Sequence, residues 1–297
     1  MYSDRFTEGL RGPVPQDGID RGRLDDIYKD ARQRAKREVF LSRIKGENPY
    51  VPALEDILEG YDVCGEIEEF YEGMVVPERV VGTYDSGRNR CFSRSFMPLP
   101  KPGEGDFAPK WQRVYRDVSC WLDSRNRVEL TEFMHDLYVV EGNKRVSVSK
   151  YLNIPEIGVK VDRIIPRLSN NLPEVDEYHR YLEFERRTGL KWIRFSPGKD
   201  FDMLDDVIEG LYGNDSDKYG RFMKDVFVPF LHSYIRLTKH RPEYKIGDVF
   251  LDFIEKADEL VGMRPEKREK MIKSELKRRR KRAELKREKN GCAEQNL

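Results

Sequence analysis

Cysteine and histidine are scarce in this chain of 297 residues, four of each, and neither type is grouped. Cys64, Cys91, Cys120 and Cys292 lie far apart, at no metal-ligand spacing and without the dense pairing of a disulfide framework. His135, His179, His232 and His240 include no i, i+4 pair, which argues against a histidine-based metal site. Long hydrophobic runs are also missing. No window approaches the roughly 18 apolar residues of a membrane span, and the opening MYSDRFTEGLRGPVPQDG has no apolar stretch of the signal-peptide kind. These absences lead to the expectation of a soluble, cytoplasmic protein with reduced thiols, no metal site and no membrane partner.

What is abundant is charge. Asp, Glu, Lys and Arg make up 37% of the chain, against the ~25% usual in globular proteins, which points to long exposed helices with mixed-sign faces or to disordered ends. Aromatics at 11% are enough for a substantial core. The 55 basic and 54 acidic residues nearly cancel but are unevenly placed. From Arg264 to Lys289 there are 14 Lys or Arg against 5 Glu, so an acidic body carries a basic tail.

Helical spacing of Leu24, Ile27, Ala31, Ala35 and Val39 predicts a first helix, with Asp20 as N-cap and Gly46 as stop. A short helix in PALEDILEG follows. The segment EIEEFYEGMVVPERVVGTYDSGRNRCF then brings β-branched and aromatic runs broken by Gly and Pro, hence strands. FMPLPKPGEGDFAPK reads as a loop, and KWQRVYRDVSCWLDS as a helix with Trp111, Val114, Val118 and Trp121 on one face. Between about residues 127 and 165 the order is strand, hairpin at His135-Asp136, strand, helix and strand, an α/β unit. Beyond Pro173 the pattern is mostly helical, with KWIRF as one further strand candidate. The expected parts are an N-terminal helical segment (1–64), a mixed-sheet domain (65–172), a helical region (173–263) and a basic, partly disordered tail (264–297).

The candidate site is the stretch DLYVVEGNKRVSVSKYL. DLYVV reads as a strand, EGNK as the connection, and RVSVSKYL as a helix ended by Asn153 and Pro155. A helix entered through glycine presents free N–H groups and the positive end of its dipole, and Lys144 and Arg145 add mobile charge. Arg145 falls beside the core face marked by Val148 and Leu152, so its guanidinium is half-buried and calls for an anionic partner. A plain alternative stays open, in which Gly142 makes a turn, Asn143 caps the helix and Arg145 pairs with a protein carboxylate.

YVVEGNKRVSVSKYL followed by IGVKVDRII resembles the second conserved box of the ParB/sulfiredoxin superfamily, a strand, then Gly-x-x-Arg-x-x-small, then a helix. Upstream, GMVVPERVVGTYDSGRN resembles the strand and loop that open the ParB N-terminal fold, and together these cover about residues 65 to 166. The run from GRNRCFSRSFMPLP to EGNKRVSV also resembles uncharacterised bacterial ParB-like proteins. The resemblance implies a ParB/sulfiredoxin-like α/β (α+β) fold. It also implies a bound nucleoside triphosphate, CTP or ATP with Mg²⁺, held at Gly142, Asn143, Lys144 and Arg145, with Ser147 counted beside them. The departures are specific: positions 141 to 146 hold no sulfiredoxin cysteine, no ENxxR-like third box is present, and Val148 stands where alanine is usual. Glu141 is the acidic residue adjacent to the glycine, near which the related free-serine kinases use a carboxylate, which makes it the candidate general base against the plainer reading of a solvated charge at a strand end.

Three function classes follow: a nucleotide-binding switch or slow NTPase, a small-molecule phosphotransferase, and an interaction protein that has lost the ligand and docks a partner or a second copy through its C-terminal helices. Arg88, Arg90 and Arg94, in TYDSGRNRCFSR, are candidates to close over the triphosphate from the opposite side, against the plainer reading of a solvated turn. Gly198-Lys199 lacks the second glycine and the Ser/Thr of a P-loop, so Ser196 or Asp200 there is read as a helix cap. The run Arg278, Arg279, Arg280, Lys281 and Arg282 is a candidate for nonspecific nucleic-acid contact, against the plainer reading of a solvated tail.

Overall fold

The computed structural model describes residues 20–100, 103, 105–122, 127–191, 193, 195, 201–238, 247, 249–251 and 263–294. The chain divides after Asn170 into two compact units. Each has its own core.

The first unit opens with helix α1 (Arg21–Ile44), whose Asp20 side chain accepts from the Arg23 N–H at 2.9 Å. Beyond α1, Gly46 takes the left-handed φ of 69°. The buried positions of α1, Leu24, Tyr28, Ala31, Ala35 and Ser42, lie three, four or seven residues apart, the spacing of one helical face. After the short α2 (Leu54–Leu58) come β1 (Val63–Val75) and β2 (Val80–Thr83). Helix α3 (Phe107–Arg116) starts inside the stretch expected as a loop, and the chain breaks at Asp117 before α4 (Val118–Leu122). The Asp117 carboxylate accepts from Arg116 Nε at 2.8 Å beside that break. Helices α1 and α3 meet through Tyr28 and Trp111, with ring centroids 5.5 Å apart. Residues 20–64 thus fold with the sheet and are no separate segment.

Strands β3 (Val128–Phe133), β4 (Asp136–Glu141) and β5 (Ile157–Pro166), with helix α5 (Asn143–Leu152) between the last two, complete a mixed α/β fold. The five strands lie in the order β1-β5-β3-β4-β2, antiparallel at β1/β5 and β3/β4 and parallel at β3/β5 and β2/β4. The β3–β4 turn is Met134-His135, not His135-Asp136, since Asp136 already pairs with Phe133. Both turn residues have positive φ, 51° and 74°, a twist that suits a two-residue hairpin. The His135 N–H donates to Glu132 Oε1 at 2.5 Å. On the other carboxylate oxygen Glu132 accepts from Arg163 Nε at 2.7 Å, and the Arg163 guanidinium lies 3.4 Å from the centre of the Phe70 ring. This ion pair is 1% and 5% exposed and sits in register across β3 and β5.

The second unit is helical where described: α6 (Pro173–Thr188), α7 (Phe201–Tyr212), α8 (Lys218–Phe222), α9 (Val228–Thr238) and α10 (Pro265–Glu294). A wide π turn over Met223–Phe227 joins α8 to α9 just ahead of Pro229, whose missing N–H breaks the regular ladder. Phe184, Leu204, Phe222, Phe227, Phe230 and Ile272 belong to one apolar core. Ile272 comes from α10, so the basic segment expected as a partly disordered tail begins as a packed helix. Arg268 fastens it, donating to the carbonyls of Pro229 and Met263 at 3.1 and 2.7 Å. The expected strand KWIRF lies partly outside the described residues, and Lys191, Ile193 and Phe195 are not in a strand. Trp192, Ser196, Gly198-Lys199 and Asp200 are outside them, as is most of the expected helix IGDVFLDFIEKADEL. Among the described residues, no helix is long and apolar enough to cross a membrane.

Candidate functional site

Strand β4 runs through Glu141, and Gly142 alone makes the connection to α5, which begins at Asn143. The expected four-residue link EGNK is thereby shortened to a single residue. That is possible because Gly142 adopts φ 108°, a conformation closed to most residues with a side chain. A Cβ there would also meet Nε and Nη2 of Arg145 at 3.1 Å and Cγ1 of Val128 at 3.2 Å. Gly142, not Asn143, is the N-cap, and no side chain caps this helix end. The Asn143 side-chain oxygen is buried without a donor among the described residues.

Arg145 folds back over that glycine and donates from Nη1 to the Arg127 carbonyl at 3.0 Å. Burial lowers its pKa, and the carboxylates of Glu141 and Glu129 oppose that shift. It lines a cleft of about 930 Å³ together with three more cations, Arg113, Arg127 and Lys160. Carboxylates share the walls: Glu72 accepts from Arg127 at 3.1 Å, Asp117 lies 3.7 Å from Arg113, and Glu129 is nearby. Trp121 and Val114 supply an apolar wall. Of the residues in this cleft only Arg145 belongs to the expected site. Arg113 on α3, Arg127 ahead of β3 and Lys160 on β5 converge from separate elements, and no local motif marks them.

The other expected ligands are placed elsewhere. The Lys144 ammonium lies 4.6 Å from the centre of the Phe107 ring. Ser147 is fully buried and accepts from the Trp111 indole N–H at 2.9 Å, so its hydroxyl faces the core instead of a phosphate. Glu141 is exposed and outside the cleft lining. Arg88 is exposed, 3.9 Å from Asp85. Arg90 opens on a different cleft, with Lys36 and Arg43, and so does not close over Arg145. On α10, Arg278 and Arg279 pair with Glu275 at 2.7 and 3.6 Å, and Arg278, Arg280, Lys281 and Arg282 are exposed. Among the described residues no three potential metal-ligating side chains come together. No known family model, no curated protein and no solved structure matches this chain.

Proposed function

We propose that the cleft beside Arg145 binds a nucleoside triphosphate, CTP or ATP, as the resemblance to the ParB/sulfiredoxin superfamily implies. The observation that supports this is the convergence of Arg113, Arg127, Arg145 and Lys160 on one cleft at the glycine-led start of α5. Mg²⁺ would arrive on the phosphates, since it keeps most of its waters and needs few protein ligands. Glu141 stands outside the cleft, which favours a binding switch or slow hydrolysis over phosphotransfer with Glu141 as base.

Titration calorimetry with CTP, ATP and GTP plus Mg²⁺ tests the reading, on the wild type and on Arg145→Ala and Lys160→Ala. Heat from a nucleotide that falls on both substitutions is expected. No heat, or equal heat from folded variants, overturns it. Little nucleoside diphosphate after prolonged incubation separates a switch from an enzyme.

Exposure of Lys281 and Arg282 supports a second contact, salt-dependent and without sequence preference, between α10 and nucleic acid. Because α10 carries Ile272 into the core, charge reversal at 281 and 282 tests it better than truncation. Duplex binding at low salt should fall in that variant.

A further inference from the structure

The outer face of the last two turns of α1 is apolar where a solvent-facing helix is normally polar. Phe40 is 65% exposed, Leu41 55% and Ile44 68%, and their i, i+1, i+4 spacing puts them on one stripe. Beside the stripe lies a cleft of about 850 Å³ that includes Phe40, Tyr50 and Leu99. Three cations line it, Lys36 and Arg43 from α1 and Arg90 from the turn at Asn89–Cys91, and none of the described lining residues is acidic. The nearby carboxylates are engaged within the unit. Glu38 turns inward and accepts from the hydroxyls of Ser93 and Ser95 at 2.6 and 2.5 Å. Glu47 accepts from Arg94 at 3.0 Å.

We propose that this face docks an acidic amphipathic helix of a partner polypeptide, its apolar residues along Phe40, Leu41 and Ile44 and its carboxylates against Lys36, Arg43 and Arg90. Both halves of the surface select that occupant. The aliphatic Leu41 and Ile44 offer nothing to a phosphate or a base, so a nucleic acid stacked on Phe40 would leave most of the stripe uncovered. A second copy related by a two-fold axis would set Lys36 and Arg43 against like charges. An apolar stripe bordered by cations matches the helix-in-groove mode of peptide recognition, with charge setting specificity and the stripe supplying affinity.

The test is selection of displayed random 16-residue peptides on the full chain, followed by fluorescence-anisotropy titration of the enriched sequences as synthetic peptides. Enriched sequences should carry apolar residues at i, i+3 and i+4 and an excess of Asp and Glu. They should bind about tenfold or more weakly to Lys36→Glu/Arg43→Glu and to Phe40→Ser/Ile44→Ser. All four positions are solvent-facing, so the variants should melt with the wild type; if the serine variant melts early, the charge-reversed one decides alone. Peptides without the acidic amphipathic pattern, no enrichment, or equal binding to the variants overturns the proposal. So does a dimer in sedimentation that the serine variant dissociates, which would make the occupant a second copy. Single-stranded oligonucleotide binding lost in both variants would replace the peptide with nucleic acid.

Discussion

Gly142 carries the sharpest residue-scale constraint. Its φ of 108° costs a side-chain-bearing residue about 1–2 kcal/mol, and a new methyl would press on Arg145 and Val128. Gly142→Ala should therefore lower stability by more than about 1 kcal/mol in urea unfolding. Ser147→Ala leaves the Trp111 N–H without its acceptor, at a cost of about 1–3 kcal/mol, and should leave nucleotide binding unchanged, since the hydroxyl does not reach the cleft. Lys150 provides a pH test. Its side chain is partly exposed, but the ammonium is desolvated, donating to the Val80 carbonyl at 2.7 Å and lying 4.6 Å from the Phe96 ring centre. Burial brings its pKa down to about 8, against the opposing charges of Glu78 and Glu38. Between pH 8 and the ordinary lysine value near 10.5, the unfolded chain binds the proton that the folded chain has released. Stability should thus rise with pH across that window, by no more than about 1.4 kcal/mol per pH unit, and this contribution is flat below it. In Lys150→Met the rise should vanish when chemical unfolding is followed from pH 7 to 10.

At the scale of elements, the Glu132–Arg163 pair ties β3 to β5 where alternation alone would place two apolar residues. Removing one partner strands a buried charge, so Glu132→Leu and Arg163→Met should each cost about 3–5 kcal/mol. The double variant should recover much of that loss, and urea curves of the four proteins complete the cycle. Strand β1 sits at the sheet edge with the exposed Glu68 and Glu72 along it, charge that discourages edge-to-edge pairing. Helix α1 shows what periodicity conveys and omits. Leu24, Ala31 and Ala35 were legible as the core face, and Asp20 and Gly46 as its ends. Three further apolar residues, Phe40, Leu41 and Ile44, fall on the opposite side of the helix, and only the tertiary structure shows that nothing described covers them. Likewise the α3–α4 break at Asp117 has no Pro or Gly to announce it.

For the whole molecule, the chain divides after Asn170 into two compact units, each with its own apolar cluster. The link is held to the first unit, since the Asn170 amide bonds both the N–H and the carbonyl of Asp62, at 2.8 and 2.7 Å. Residues 20–170 and 171–297, expressed apart, should each unfold cooperatively, the first with mixed circular dichroism and the second with a helical signal from the described helices. A molten fragment would count against the division. The sequence by itself determined what depends on neighbours in the chain: the helical ends at Asp20 and Gly46, the strand-glycine-helix order that leads to Arg145, and the mixed α/β class. Only the tertiary structure decided what depends on chain-distant partners. It drew Arg113, Arg127 and Lys160 to Arg145, turned Ser147 inward to Trp111, gave Arg90 to another cleft and packed α10 through Ile272. The reason is physical: backbone conformation and periodicity are local, whereas burial and charge convergence come from strands and helices meeting across the fold.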